Sequence, residues 1–264
     1  MRGAKACGKT PEMSSHHDDR VREQFGPTAR SYVTSAVHAT GDDLAWIATR
    51  AAALRPRRAL DLGCGGGHVA YAIAPHAGAV TACDLSSDML AAVEAEAARR
   101  QIGNIETIVA SAEALPLPDG GFDFLACRFS AHHWRDAEAG LREARRVLAR
   151  GAPALFIDIV SPGEAARDTH LQSVELLRDT SHVRDYSQAE WAAMLTRAGF
   201  SVGAVVTARL RMDFADWTAR MRTPSVQVEA IRALQAAASD TVARHYAIEA
   251  DGSFTIDMAL FEAA

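Results

Sequence analysis

The chain reads as an α/β fold in which a parallel sheet is covered by helices on both faces. Short apolar strands alternate with helical segments from Ala59 to Val160, the pattern that parallel strands need for their crossover connections. A glycine-rich turn, Gly63-Cys64-Gly65-Gly66-Gly67, joins the first of these strands to the helix that follows. An acidic residue, Asp84, ends the second strand. With 264 residues, 48% of them apolar and 23% charged, the chain suffices for one large domain.

Residues 1–20 carry no apolar run of the kind a secretory signal needs, and read as a disordered leader with Met13 as an alternative start. His16-His17-Asp18-Asp19 resembles a metal-binding run but is expected to be solvated there. From residue 21 to 264 we expect a single domain. Val21–Phe25 and Tyr32–Val37 have helical spacing, interrupted by Gly26-Pro27. Gly41-Asp42-Asp43 caps a helix over Leu44–Leu54, which Arg55-Pro56 ends. Strands are predicted at Ala59–Leu62, Ala79–Leu85, Ile105–Ala110, Phe122–Cys127 and Ala154–Val160. Helices are predicted from His68, over Met89–Gln101 after a Ser86-Ser87-Asp88 cap, and over Asp136–Ala149. Residues 161–186 are polar and mixed, as in an inserted helix and loop. Glu190–Ala198 is helical, Phe200–Leu210 is a strand, Pro224–Tyr246 is a long helical stretch and Ser253–Phe261 is a last strand.

Composition excludes several chemistries. With 28 basic against 33 acidic residues there is no basic footprint, so no nucleic-acid partner is expected. No window approaches the ~18 apolar residues of a membrane span, so no membrane insertion is expected either. The lysines are Lys5 and Lys9 alone, and every later basic residue is arginine. That removes Schiff-base chemistry and a phosphate loop of the G-K-[ST] type from the rest of the chain. The four cysteines, Cys7, Cys64, Cys83 and Cys127, are widely spaced without C-x-x-C. They read as reduced thiols of a cytoplasmic protein, and no metal site is expected.

Glycines between strand and helix let the backbone turn sharply and let a ligand lie against it. A carboxylate at the end of the second strand can accept both hydroxyls of a ribose. Together with the strand context, these features point to a nucleoside-containing cofactor.

The run Asp61-Leu62-Gly63-Cys64-Gly65-Gly66-Gly67-His68 resembles the first motif of class I S-adenosylmethionine-dependent methyltransferases. Further matches follow in order: Asp84-Leu85-Ser86 with Met89, Ala112-Glu113-Ala114-Leu115-Pro116, Phe122-Asp123, and Arg145, Val147 and Leu148 with Gly151. Cys127 to Trp134, Arg178 to Arg184 and Glu190-Trp191 are similar to the bacterial branch grouped with the ubiquinone/menaquinone-biosynthesis C-methyltransferases. The likeness spans roughly residues 24–264. It implies a Rossmann-like sheet of seven strands, mostly parallel, with helices on both faces and an antiparallel C-terminal strand. It also implies N-terminal lid helices over 21–55 and a substrate-side insertion over 161–186.

Carried over by position, the resemblance implies S-adenosylmethionine as cofactor, leaving as S-adenosylhomocysteine, and a small-molecule methyl acceptor. Gly63, Cys64 and Gly65 would run along the methionine and ribose, with Asp61 near the amino group. Asp84 would hold the ribose, and Leu85 and Met89 would flank the adenine. Ser111, Ala112 and Glu113 would meet the adenine edge; relatives usually carry Asp where this chain has Ser111, a weaker, uncharged acceptor. Arg128 would face the methionyl end or the substrate, and Tyr32 would close over the cofactor.

Methyl transfer is an in-line displacement in which alignment supplies most of the acceleration. His132 and His133, after the fourth strand, have the imidazole pKa suited to a base. Otherwise one caps a turn while the other packs on Trp134. His182, Arg184 and Tyr186 are candidates for the far wall of the acceptor pocket, and Trp191 and Trp217 read as packing residues. A nucleotide-binding oxidoreductase of Rossmann type shares the glycine loop and Asp84, and a cofactor-binding protein without turnover would share the whole set.

Overall fold

The computed structural model describes residues 12–25 and 41–264. Helix α1 runs Glu12–Phe25, so the segment expected to be a disordered leader is helical from Glu12 onward. Tertiary anchors explain the difference: Arg22 Nε donates to the Leu85 carbonyl at 3.2 Å and Gln24 Nε2 to the Met221 carbonyl at 3.1 Å. The Phe25 ring also meets the His133 ring edge-on at 5.0 Å. Anchors so distant in sequence leave no local trace. The helical segment expected at Tyr32–Val37 lies outside the described residues, as does Tyr32 itself.

The remaining elements are α2 (Asp42–Leu54), β1 (Arg58–Leu62), α3 (His68–Ile73), β2 (Ala79–Asp84), α4 (Ser87–Arg99), β3 (Ile105–Val109), β4 (Phe124–Arg128) and α5 (Ala137–Val147). After them come β5 (Ala154–Ile159), α6 (Ala165–Arg178), α7 (Gln188–Arg197), β6 (Val202–Met212), α8 (Phe214–Arg220), α9 (Ser225–Ala236), α10 (Asp240–His245) and β7 (Phe254–Ala263). The long stretch expected over Pro224–Tyr246 is therefore two helices, because Ser239 is extended and starts a new one. Helix α8 was not foreseen; Asp213 caps it by accepting the Asp216 N–H at 3.0 Å.

Caps set several helix starts. Ser86 Oγ accepts from Met89 N at the head of α4, Asp136 accepts from Ala139 N at α5, and Ser187 with Glu190 forms a reciprocal capping box at α7. The strands assemble into one seven-stranded sheet in the order β3-β2-β1-β4-β5-β7-β6. Pairings among β1 to β5 are parallel, and β7 runs antiparallel to both β5 and β6. This is the Rossmann-like arrangement that the resemblance implied.

Strand periodicity divides the core in two. Ala59, Phe124, Ala126, Leu155 and Ile157 join the cluster that packs under α2, α3, α4 and α6. Their alternates Leu60, Leu62, Leu125, Cys127 and Phe156 join the cluster under α5 and α7. Chain direction across the sheet reverses between β1 and β4: β2 and β3 lie on one side of β1, and β4 and β5 on the other. A crevice opens at the carboxyl ends of strands at such a switch point. Among the described residues, no helix is long and apolar enough to cross a membrane.

Candidate active site

A cavity of about 370 Å³ lies at this switch point. Its inner half is built from the β1–α3 loop. Gly63 N and Cys64 N both donate to the Cys83 carbonyl at 2.9 Å, which pins the loop against β2. Gly63 has φ +72, and a Cβ there would lie 1.9 Å from Ser130 Oγ, so the close approach of β4's loop requires glycine. At Gly65, with φ +48, a Cβ would meet nothing within 4 Å; this backbone is open to the cavity.

Asp84 ties the loop to the end of β2. Its Oδ2 accepts the Gly65 N–H and its Oδ1 the Ser86 N–H, each at 2.9 Å. Each oxygen keeps a second lone pair for a ligand hydroxyl. Burial raises the Asp84 pKa, and the amides of Ser86, Gly65 and Leu85 oppose that rise. Asp61 accepts the Ala70 N–H through Oδ2 at 2.9 Å, while Oδ1 is buried with no hydrogen-bond partner among the described residues. Burial pushes the Asp61 pKa up to about 8, against the Ala70 amide that lowers it. An unsatisfied buried acceptor beside open glycine backbone fits a ligand that brings a donor or a cation. These acceptors therefore suit the amino group and ribose hydroxyls of S-adenosylmethionine.

Leu85, Met89, Ser111, Ala112, Glu113 and Arg128 also line the cavity, together with Cys64. Thus every expected cofactor residue within the described segments reaches it. Two are less available than the sequence suggests. The Glu113 carboxylate holds Arg135 through the backbone N–H at 2.8 Å and the guanidinium at 2.7 Å. Arg128, expected to face the methionyl end or the substrate, is buried in an ion pair with Asp43 of α2 and stacks over Phe129 at 4.6 Å.

The outer half holds the histidines. His132 follows β4 and its Nδ1 meets Asp158 Oδ1 of β5 at 2.6 Å, while Asp158 Oδ2 takes the His132 backbone N–H at 3.3 Å. With Nδ1 tethered, Nε2 is the ring atom left for a ligand. Burial works to lower the His132 pKa, but the charge and hydrogen bond of Asp158 outweigh it and push the pKa up to about 9. His133 differs. Its Nδ1 donates to the Ser181 carbonyl at 3.2 Å, and burial with the neighbouring His132 charge holds its pKa below the usual range. Neither histidine simply caps a turn; the Trp134 ring instead packs on Gly140, its Nε1 donating to Ser130 Oγ at 3.1 Å.

The far wall departs from expectation. Arg184 pairs with Asp168 and Glu190, Tyr186 faces Trp191, and His182 sits behind His132 with its Nε2 donating to Gln172 Oε1 at 3.0 Å. None of the three lines the cavity. Glu175, Arg178, Asp179 and Asp185 do, and so do Trp217 and Arg220. Trp217 is thus both packed and exposed to the cavity, whereas Trp191 is stacked in the core on Phe261. His17 and Asp18 of α1 also line the cavity, with His17 Nε2 donating to the His133 carbonyl at 2.8 Å. Asp158 had no signal in the sequence; it is one acid in an otherwise apolar strand, and only register places it opposite His132. Among the described residues, no cluster of His, Cys, Asp and Glu is arranged to hold a metal ion.

The sheet order β3-β2-β1-β4-β5-β7-β6 with its antiparallel β7, the glycine loop at the switch point and the acidic residue closing β2 fit a class I S-adenosylmethionine-dependent methyltransferase. Comparison with known proteins agrees: residues 60–156 match the family model described as a methyltransferase domain. The chain is 44% identical to the uncharacterised protein YafE of Escherichia coli K12, over 75% of this chain and 95% of YafE. Its fold superposes on the crystal structure of Bacillus subtilis YcgJ with a TM-score of 0.81 at 28% identity, covering 84% of this chain and 97% of that one. The curated sequence of YcgJ, an uncharacterised methyltransferase, is 31% identical over 76% of this chain and 79% of its own length. The ubiquinone/menaquinone biosynthesis C-methyltransferase of Methylobacterium nodulans is 36% identical over 53% of this chain and 59% of its own. The chain belongs to the class I S-adenosylmethionine-dependent methyltransferase family.

Proposed function

We propose that the protein transfers a methyl group from S-adenosylmethionine to a small-molecule acceptor by in-line displacement, with His132 as the general base. The observation that supports it best is the meeting of two sites in one cavity, the glycine loop with Asp61 and Asp84 on one side and the tethered His132 on the other. When bound, S-adenosylmethionine supplies an electrophilic methyl group on a sulfonium. Asp61 would take its amino group, Gly63, Cys64 and Gly65 its methionine and ribose, and Asp84 the ribose hydroxyls. Leu85, Met89, Ser111 and Ala112 would surround the adenine, with Glu113 at its edge and Tyr32 closing over it. Arg128, neutralised by Asp43, holds α2 against β4 at the methionyl end.

Asp158 is the positioning residue: it fixes the His132 tautomer and keeps Nε2 for the proton that the acceptor loses. His133 binds the loop at Ser181 and shapes the wall. The buried, unpaired thiols Cys64, Cys83 and Cys127 support a reducing, cytoplasmic setting. Calorimetry with S-adenosylhomocysteine and NADH side by side tests the cofactor, and labelled S-adenosylmethionine with a metabolite mixture tests transfer. Binding of NADH alone would overturn the assignment. Label appearing in a metabolite, and its loss in the His132→Ala variant, is the expected result.

A further inference from the structure

The outer half of the cavity contains a carboxyl group that the fold does not use. Asp185 is 1% exposed and lines the cavity, yet its Oδ2 has no hydrogen-bond partner among the described residues. Its backbone is well held: Asp185 N donates to Gln172 Oε1 at 3.1 Å, and its carbonyl accepts from Gln172 Nε2 at 2.8 Å. The nearest cationic candidate, His182 Nε2, stands 3.9 Å from Oδ2 and gives its proton to Gln172. The surrounding charges are committed elsewhere. Arg178 donates to Glu175 at 3.3 Å and to the Trp217 carbonyl at 3.1 Å, His132 is held by Asp158, and Asp179 Oδ1 takes the Ser181 N–H and Oγ–H. Burying a carboxyl without a partner is costly, and such a group in a ligand cavity marks the place where a ligand supplies the missing donor. The same cavity carries an apolar stretch, Leu210, Met212, Trp217, Ile256 and Met258, beside the charged Glu175, Arg178, Asp179 and Arg220.

We propose that Asp185 anchors the methyl acceptor, and that the acceptor is an apolar, ring-sized molecule bearing an amine head that bonds to this carboxylate. The word acceptor rests on the methyl-transfer reading above; the amine site itself does not. An ammonium group both donates to Oδ2 and brings a positive charge to a carboxyl that burial and the neighbouring Glu175 otherwise hold toward its neutral form. A hydroxyl would satisfy only the hydrogen bond, and an anionic head would bring like charge to the carboxyl.

The test uses the full chain, with and without S-adenosylhomocysteine, titrated by calorimetry with 3-phenylpropylamine, 3-phenylpropan-1-ol and 3-phenylpropionate. The amine should bind most tightly, and Asp185→Asn should weaken it about ten- to hundredfold while leaving the propionate unchanged. Because Oδ2 has no hydrogen-bond partner among the described residues, Asp185→Asn and Asp185→Leu should melt at the same temperature as the parent or higher. A structural role predicts the reverse, a lower melting temperature with no selective loss of the amine, and that result overturns the proposal. Tighter binding of the propionate, equal binding of alcohol and amine, or no binding of the amine at millimolar concentration overturns it as well. Failure of S-adenosylhomocysteine to bind, with the amine still held by Asp185, would remove the methyl-transfer reading and leave the anchor standing.

Discussion

The two halves of the cavity are built by different means. The half proposed for the cofactor is built on backbone: one loop of consecutive residues, Gly63 to Gly67, pinned to Cys83 and tied through Asp84. The half proposed for the acceptor is built from side chains: His132 from the loop after β4, Asp158 from β5, Glu175 and Arg178 from α6, Asp179 and Asp185 from the following loop, and Trp217 from α8. Backbone recognition is generic, because any chain that makes the turn presents the same amides. Side-chain recognition is particular to one protein. The contrast teaches that one cavity can carry a shared family chemistry at one end and an individual specificity at the other.

Substitutions can break this division, and the largest effect should come from the acceptor half. His132→Ala is expected to lower kcat by about 10²–10⁴ with the S-adenosylhomocysteine Kd unchanged. Its pKa near 9 implies a rate that rises with pH up to about that value. Asp158→Asn should lower kcat less and move that rising limb toward lower pH, since the charge that raises the His132 pKa is gone. Equal losses in kcat and affinity would erase the distinction between the halves.

Next in size is Asp84→Ala, which removes two acceptors from the cofactor half. S-adenosylhomocysteine affinity should fall by about 1.5–3 kcal/mol while kcat at saturation is retained. Calorimetry showing unchanged affinity would count against the ribose assignment.

A smaller effect sharpens the role of Asp61. Its carboxyl, held up to about 8 by burial, is protonated at neutral pH before a ligand arrives. A cationic amino group favours the ionised form, so binding releases a proton and affinity should rise as pH increases toward 8, by about tenfold per unit below the pKa. Asp61→Asn should flatten that dependence. A pH-independent Kd in the native protein would contradict the contact.

The smallest change compares two glycines of the same loop. Both Gly63 and Gly65 have positive φ, so alanine at either should cost about 1–2 kcal/mol of stability. Only Gly63→Ala adds the collision with Ser130, and it should give the lower melting temperature of the two. Gly65→Ala meets no protein atom and should act mainly on cofactor affinity.

Much of this molecule is written in local pattern. Short apolar runs placed the strands, Ser86 and Asp136 announced the helix starts, and Gly63 to Gly67 with Asp84 marked the sheet edge where the cavity opens, because turns, caps and apolar runs depend on neighbours in the chain. The acceptor end was legible only in His132 and His133. His182, Arg184 and Tyr186 looked equally suited to the wall, yet they point away from it, while Asp185 between them points in. Asp158 reads as a stray acid until β4 and β5 pair, and the helix at Glu12–Phe25 reads as loose chain until its side chains meet Leu85, His133 and Met221. These contacts join residues far apart in the chain. Their energy exists only once the sheet has brought the segments together, so only the tertiary structure decides which histidine is tethered and which buried carboxyl oxygens lack a hydrogen-bond partner among the described residues.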